Sequence, residues 1–181
     1  MSRNVNVVIL CEDRQHEAFA RRFLKRAGKG YRVQRVVISP RGRGSGEQFV
    51  RARFAEELAY YRGRQHRVEQ ALVVMIDADR RMVEERMEQV DAAAAEGDQE
   101  RRRANERVAV MVPARNIETW LAYLDGQTVN ENDPYPRLER ERDCQPHVER
   151  LYEMCQQGAL RAPAPPSLET ACTEYQSRLQ S

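Results

Sequence analysis

The sequence predicts an α/β fold with a mostly parallel four-stranded sheet, helices on both faces of the sheet and a C-terminal helical extension. The first observation is a set of short apolar runs rich in β-branched residues, at Val5–Leu10, Tyr31–Ile38, Ala71–Ile76 and Arg107–Val112. The second is that a stretch with helical spacing of apolar residues follows each run. Strands that alternate with helices in this way form parallel sheets with right-handed crossovers.

The first half of the chain contains two strand–helix units. The run at Val5–Leu10 is almost continuously apolar, which is typical of a strand covered on both faces. The helix after it ends at Gly28, a residue type that commonly terminates helices. The helix after the second run places these apolar residues on one face: Phe49, Val50, Phe54, Leu58 and Tyr61.

The third and fourth units follow the same pattern. The run at Ala71–Ile76 is again nearly continuous, and the segment RRMVEERMEQV after it has apolar residues at helical spacing. The fourth run leads into NIETWLAYL, in which Trp120 is predicted to be a core residue. The sequence thus predicts an α/β domain over residues 1–125.

The composition changes beyond Leu124. A polar, turn-rich segment leads to a short helix around Val148–Gln156 and to a last helix that Ser167 is expected to cap. We expect residues 126–181 to form a loop and helical extension packed on the same domain.

The charge and composition of the chain exclude few classes of function by themselves. Charged residues make up 32% of the chain but the net charge is only +2, and Lys25 and Lys29 are the sole lysines. Arginine suits phosphate and carboxylate, but a GC-rich genome also produces arginine-rich proteins. No apolar run reaches the roughly 18 residues of a membrane helix, and Met1–Val7 shows no signal-peptide pattern. The expected location is therefore cytoplasmic, without membrane contact.

The four cysteines are Cys11, Cys144, Cys155 and Cys172. Their spacing is irregular and includes no CxxC pair, which predicts reduced thiols in a cytosolic protein. Cys144 and His147 also have the spacing of zinc ligands, and the other two C-terminal cysteines could complete a zinc set. Scattered thiols are the simpler interpretation.

Polar side chains follow three of the predicted strands at the point where each strand ends. They are Glu12 and Asp13 after the first, Asp77 and Asp79 after the third, and Arg115, Asn116 and Glu118 after the fourth. In open α/β sheets, ligands bind at the carboxyl ends of the strands. The sequence therefore predicts one anionic pocket at this edge.

A divalent cation would explain why carboxylates crowd together there. Mg²⁺ and Mn²⁺ take oxygen ligands, and one or two such ions support phosphodiester hydrolysis by activating water. Glu12, Asp77 and Asp79 are the candidate ligands and catalytic residues. Asp13 and Asp79 could alternatively be plain helix caps.

An acidic residue after the first strand and Asp77-x-Asp79 after the third resemble the TOPRIM fold. That fold also occurs in OLD-type nucleases. The segment ARNIETWLAYL is similar to one found in small stand-alone TOPRIM-like proteins, including the RloB-like group, which are often encoded beside an ATPase in antiphage cassettes. The similarity covers about Val5 to Leu124. It differs at Asp13, where many TOPRIM proteins have glycine, and at His16, where OLD-type nucleases tend to have a second acid.

The resemblance implies roles for particular residues. Glu12 would be a general acid/base or metal ligand, Asp77 and Asp79 the metal-binding pair, and Glu118 an auxiliary acid near the metal. The implied function is a Mg²⁺- or Mn²⁺-dependent nuclease that acts with an ABC- or AAA-type ATPase, with one or two metals. The alternative is a non-catalytic docking or regulatory subunit of such a complex, and either form could be a homo-oligomer.

Four arginines are predicted to contact nucleic acid: Arg41, Arg43, Arg80 and Arg115. The first two lie in a glycine-rich loop, Ser39–Phe49, that either cradles phosphate or is simply a surface loop. His16 is expected to face solvent, although it could also approach the pocket. Because the net charge is low, the grip on nucleic acid should be weak, which favours a partner that presents the substrate.

Overall fold

The computed structural model describes residues 4–28 and 30–180, and within them it shows a Rossmann-like α/β fold. The strands are β1 (Val5–Cys11), β2 (Tyr31–Ile38), β3 (Gln70–Met75) and β4 (Val108–Met111). Their order in the sheet is β2-β1-β3-β4, and every neighbouring pair is parallel. The predicted fold class is confirmed, and the sheet is wholly rather than mostly parallel.

The helices lie on both faces of this sheet. They are α1 (Arg14–Ala27), α2 (Gly46–Arg64), α3 (Val83–Ala93), α4 (Ile117–Leu124), α5 (Gln145–Gln157) and α6 (Pro166–Arg178). Short 3₁₀ turns occupy Ala94–Gly97 and Glu141–Cys144. The apolar residues of α2 and α3 share one core cluster, and those of α1, α4, α5 and α6 share another. In the described part of the chain, none of the helices has the length and apolarity needed to cross a bilayer.

The near-continuous apolar strands result from burial on both faces. In β1, Val7 and Ile9 face the cluster that contains α1, whereas Val8 and Leu10 face the cluster that contains α2. All of these side chains are at least 90% buried. β2 is an edge strand and is only partly buried. Trp120 is 1% exposed, so its predicted core position is confirmed.

The ends of two helices were predicted with different success. α1 ends at Ala27, and Gly28 follows as its C-cap with a positive φ of 73°, which confirms the predicted glycine cap. The prediction that Ser167 caps the last helix is wrong, because α6 begins at Pro166 after Pro165. Glu131 satisfies the amide and hydroxyl of Ser167 instead, at 2.9 and 2.5 Å. A carboxylate from a distant loop has replaced the local cap.

The two C-terminal helices cover the α1 side of the sheet. Leu151 of α5 and Leu168 of α6 belong to the same buried cluster as Phe19 and Trp120. The ring of Tyr175 packs edge-on against Phe23, with centroids 4.9 Å apart.

Packing of α5 against α6 overturns the expectation of four reduced thiols. Cys155 and Cys172 form a disulfide, with Cα atoms 5.7 Å apart. The alternative of a zinc set is wrong for the same reason, since two of its four ligands are bonded to each other. Cys11 and Cys144 are free and buried. The two bonded residues are 17 positions apart on different helices, so that only the packing of the helices brings them together.

Candidate active site at the carboxyl edge of the sheet

Glu12 and Asp77 lie side by side at the ends of the two central strands. β1 and β3 are parallel neighbours, and Cys11 pairs with Met75 in their register. The chain beyond each strand therefore leaves the sheet at the same edge. Glu12 Oε1 accepts a hydrogen bond from the main-chain N–H of Asp77 at 2.6 Å.

His16 completes this cluster, so the expectation that it faces solvent is wrong. Asp13 is the N-cap of α1 and accepts a hydrogen bond from the His16 amide at 2.9 Å, which confirms its cap interpretation. The first helical turn then directs His16 at the sheet edge, where its side chain is 0% exposed. His16 Nε2 lies 3.0 Å from Asp77 Oδ1, and Nδ1 is buried without a hydrogen bond from any described residue.

Burial and crowding shift the protonation of the cluster. Loss of solvent, together with the charge of Asp77, raises the pKa of Glu12 to about 8. Burial alone would lower the pKa of His16, but the charge and hydrogen bond of Asp77 outweigh it and raise this pKa to about 10. The charge of Asp77 therefore favours the protonated form of both neighbours, His16 and Glu12.

Glu118 lies in the first turn of α4 and lines the same cleft as Glu12. It is 6% exposed, and burial followed by the charge of Asp77 raises its pKa. Arg137 Nε approaches Glu118 Oε1 to 3.4 Å from the cleft mouth. Glu118 thus lies within electrostatic range of Asp77.

Asp79 is turned away from this cleft. Its φ is +55°, a left-handed conformation, and its amide donates to the carbonyl of Arg115 at 2.9 Å. Its Oδ2 pairs with Arg86 at 3.1 Å, and its half-exposed carboxylate borders a second cleft with Arg80 and Arg115. Burial and the charge of Asp77 raise the pKa of Asp79. The cap interpretation of Asp79 is wrong, because α3 begins at Val83 after Met82.

Arg86 and Gly46 were missed by the sequence analysis. Arg86 is 3% exposed and bonds Glu47 and Asp79, so it braces the loop after β3. Its spacing from Val83 and Val90 placed it on the buried face of α3, which was the available signal. Gly46 opens α2 against Glu12, and a Cβ there would lie 2.9 Å from both Cβ and Oε2 of Glu12.

The carboxylates fit a hard divalent cation by their chemistry. Within residues 4–28 and 30–180, no three His, Cys, Asp or Glu side chains converge as a ready-made metal site. One oxygen each of Glu12, Asp77 and Asp79 is engaged, by the Asp77 amide, His16 and Arg86 respectively. The second oxygen of each makes no hydrogen bond to a described residue. Oxygen donors that repel one another are the set that Mg²⁺ or Mn²⁺ would stabilise.

The glycine-rich loop after β2 forms one wall of the Glu12 cleft. Gly42 and Gly44 have positive φ angles of 71° and 76°, which the turn requires. Arg41 lines the cleft, and Arg43 is exposed on the same loop.

Unpaired arginines concentrate near this edge. The exposed arginines whose side chains make no ion pair, hydrogen bond or cation–π contact with another described residue are Arg14, Arg32, Arg41, Arg43, Arg67, Arg80, Arg81 and Arg142. Five of them lie in the segments that follow the carboxyl ends of β1, β2 or β3, namely Arg14, Arg41, Arg43, Arg80 and Arg81. Elsewhere most arginines face a carboxylate, as Arg62 faces Glu106.

Comparison of the chain with protein-family models, with curated proteins and with solved structures gave no match. The fold and the geometry of the edge therefore define the class of protein: a Rossmann-like α/β protein with a buried Glu–Asp–His cluster at the carboxyl ends of its central strands. The resemblance to TOPRIM proteins stays a prediction.

Proposed function

We propose that this chain is a TOPRIM-like nuclease that hydrolyses phosphodiester bonds of DNA or RNA with Mg²⁺ or Mn²⁺. The observation that carries the proposal is the convergence of Glu12, Asp77 and His16 at one sheet edge, bordered by unpaired arginines. Acidic groups alone would repel a phosphodiester. The arginines around them supply the attraction for the substrate backbone.

Different residues of the site would hold the metal ion and act on the substrate. Asp77, fixed by His16, and Glu12, fixed by the Asp77 amide, would hold the ion through their second oxygens, with Glu118 as a further oxygen donor. Asp79 would join them only by turning from Arg86 toward this cleft. A bound Mg²⁺ or Mn²⁺ would activate water and stabilise the leaving oxygen. Alternatively, Glu12 would serve as general acid/base toward the reacting oxygens, with the ion held by Asp77 and Glu118.

Arginines would hold the substrate on both sides of the acids. Arg41 lines the Glu12 cleft and Arg43 lies on the same loop, whereas Arg80 and Arg115 line the cleft that Asp79 borders. Arg115 donates to the carbonyl of Asn132 at 3.2 Å and retains other N–H groups. The net charge of only +2 implies weak binding to nucleic acid. The proposal therefore includes an ATPase partner of the ABC or AAA type, in a cytoplasmic antiphage system, as the resemblance implies.

A specific observation favours a second candidate, a non-catalytic docking or regulatory subunit of an ATPase complex. Asp79 is tied to Arg86 and faces a different cleft from Glu12 and Glu118. A scaffold that has lost catalysis would tolerate this separation. The function of such a docking subunit would survive the substitution Glu12→Gln.

Cleavage of supercoiled plasmid and of total tRNA tests the proposal. Purified protein would be incubated with Mg²⁺, with Mn²⁺ and with EDTA, beside Glu12→Gln, Asp77→Asn and the control Glu88→Gln. Glu88 is an exposed carboxylate paired with Arg101, so its variant makes the same chemical change outside the site. We expect metal-dependent cleavage that Glu12→Gln and Asp77→Asn lower by about 100-fold or more and Glu88→Gln leaves unchanged.

Cleavage that persists in EDTA, or in both site variants, would contradict the nuclease proposal. Absence of cleavage by the unsubstituted chain, together with no Mn²⁺ binding by calorimetry, would favour the docking subunit.

A further inference from the structure

A third cleft lies between α1 and the 3₁₀ turn Glu141–Cys144. Five arginines line it: Arg14, Arg21, Arg22, Arg140 and Arg142. The acidic side chains in its wall are Glu17 and Glu141. The cleft therefore carries a surplus of positive charge, although the chain as a whole is nearly neutral.

Three of these arginines have no carboxylate partner among the residues that the structure describes. Arg21 pairs with Glu17 at 2.8 Å, and Arg140 pairs with Asp143 at 3.1 Å. The side chains of Arg14 and Arg142 are exposed and make no hydrogen bond or ion pair with another described residue. Arg22 donates only to the carbonyl of Ala18, at 3.2 Å. Their guanidinium groups are available for an anionic ligand.

This arginine cleft continues into the Glu12 cleft. Arg14 and Glu141 line both of them. Gln15 donates to the carbonyl of Glu141 at 3.2 Å and thereby ties the 3₁₀ turn to α1. From Arg14 to Arg22 the helix rises about 12 Å, which is long enough for more than one phosphate group.

We infer that the arginine cleft binds the phosphodiester backbone of a nucleic-acid strand beside the scissile phosphate. The inference rests on the proposed function and extends it, since the continuity with the Glu12 cleft connects backbone binding to the reacting position. The planar fork of arginine matches phosphate oxygens in two-point contacts. Among the described residues, Ala18 is the one apolar side chain in the wall, so the cleft offers little to the side chains of a peptide.

Oligonucleotide binding in EDTA tests this inference without requiring cleavage. The probe is a fluorescein-labelled single-stranded oligonucleotide, as DNA and as RNA, followed by anisotropy over a range of salt concentrations. The variant is Arg14→Gln/Arg142→Gln, whose exposed, unpaired side chains can be changed without breaking a contact. The control is Arg32→Gln/Arg67→Gln, which removes the same charge from exposed arginines outside either cleft.

We expect the cleft variant to bind at least about tenfold more weakly at low salt, with the slope of log K against log salt reduced by about 1.4 for two phosphate contacts. The control should change both quantities much less. Equal losses in the two variants would overturn the inference, as would no binding by the unsubstituted protein. Tighter binding of a polyglutamate peptide than of the oligonucleotide would overturn it in favour of an acidic protein partner.

Failure of this inference can be distinguished from failure of the proposed function. A chain that binds the oligonucleotide through Arg14 and Arg142 but never cleaves it would refute the nuclease and support the cleft. A chain that cleaves, with KM unchanged in the cleft variant, would refute the cleft and leave the nuclease intact.

Discussion

The Glu12 carboxylate accepts a hydrogen bond from the Asp77 main-chain N–H at 2.6 Å, which joins the ends of the two central strands. The same two residues are the acids that the proposed chemistry uses. The contact therefore has two roles: it satisfies a main-chain hydrogen-bond donor, and it fixes one carboxylate beside another. Substitutions can separate these two roles.

Glu12→Gln and Glu12→Ala should differ in stability. Glutamine keeps an oxygen for the Asp77 amide, whereas alanine leaves that N–H without its partner at a cost of about 1–3 kcal/mol. We expect urea unfolding to show this difference, while cleavage is lost in both variants. A Glu12→Ala protein as stable as Glu12→Gln would show that the amide finds another partner.

His16 and Asp77 should be energetically coupled. Removing His16 leaves the buried Asp77 carboxylate without its nearest partner, so each single substitution removes the same interaction. We expect a double-mutant cycle of His16→Ala and Asp77→Ala to give a coupling free energy of about 1–3 kcal/mol in chemical denaturation. If the two substitutions have additive effects on the free energy of unfolding, the contact between the two side chains has no coupling energy.

Gly46→Ala should impair the site, and Gly63→Ala in the same helix is its matched control. A Cβ at Gly46 would press on Glu12 at 2.9 Å, whereas a Cβ at Gly63 would meet nothing within 4 Å. We expect Gly46→Ala to destabilise by about 1–3 kcal/mol and to lower cleavage. Gly63→Ala should instead stabilise by up to about 1 kcal/mol. Unchanged cleavage in Gly46→Ala would show that Glu12 moves freely.

Two thiols, rather than four, should be available in protein folded without reductant. Cys11 and Cys144 should react with maleimide after denaturation, and Cys155 and Cys172 only after reduction. Because the bond closes a loop of 17 residues, its reduction should cost about 3 kcal/mol in free energy of unfolding. Labelling of all four cysteines before reduction would contradict the disulfide.

Protonation of Glu106 should lower the stability of the protein in acid. Burial alone would raise its pKa, but hydrogen bonds from Arg62 and from the Arg103 amide outweigh burial and lower the pKa below the usual 4.5. The unfolded chain then binds a proton before the folded chain does. The stabilisation is therefore complete above about pH 4.5 and is lost as the pH falls through the folded-state pKa.

Urea unfolding of Glu106→Gln against the unsubstituted protein measures this effect. We expect a deficit of about 3 kcal/mol near neutral pH, since one partner of a buried ion pair is removed. The deficit should shrink on acidification. Glu88→Gln, at an exposed pair, should leave stability nearly unchanged at every pH, and a constant deficit for Glu106→Gln would contradict the assigned linkage.

The sequence determined the strands, their parallel arrangement and the edge at which the acids gather. A strand covered on both faces must be apolar along its length, so runs such as Val5–Leu10 predict it from local composition. The parallel order then places Glu12 and Asp77 together, because the carboxyl ends of β1 and β3 meet at one edge. Asp13 was also accessible as a cap, since capping depends on the next three residues.

Only the tertiary structure decided the direction of the side chains and the pairs between distant elements. His16 is buried because helix α1 packs with that face toward the sheet edge, and Asp79 turns to Arg86 because the loop after β3 takes a left-handed turn. Cys155 meets Cys172, and Glu131 replaces a cap at Ser167, for the same reason. Each such contact depends on how whole elements pack against one another, and no local pattern of residue types encodes that distance or orientation.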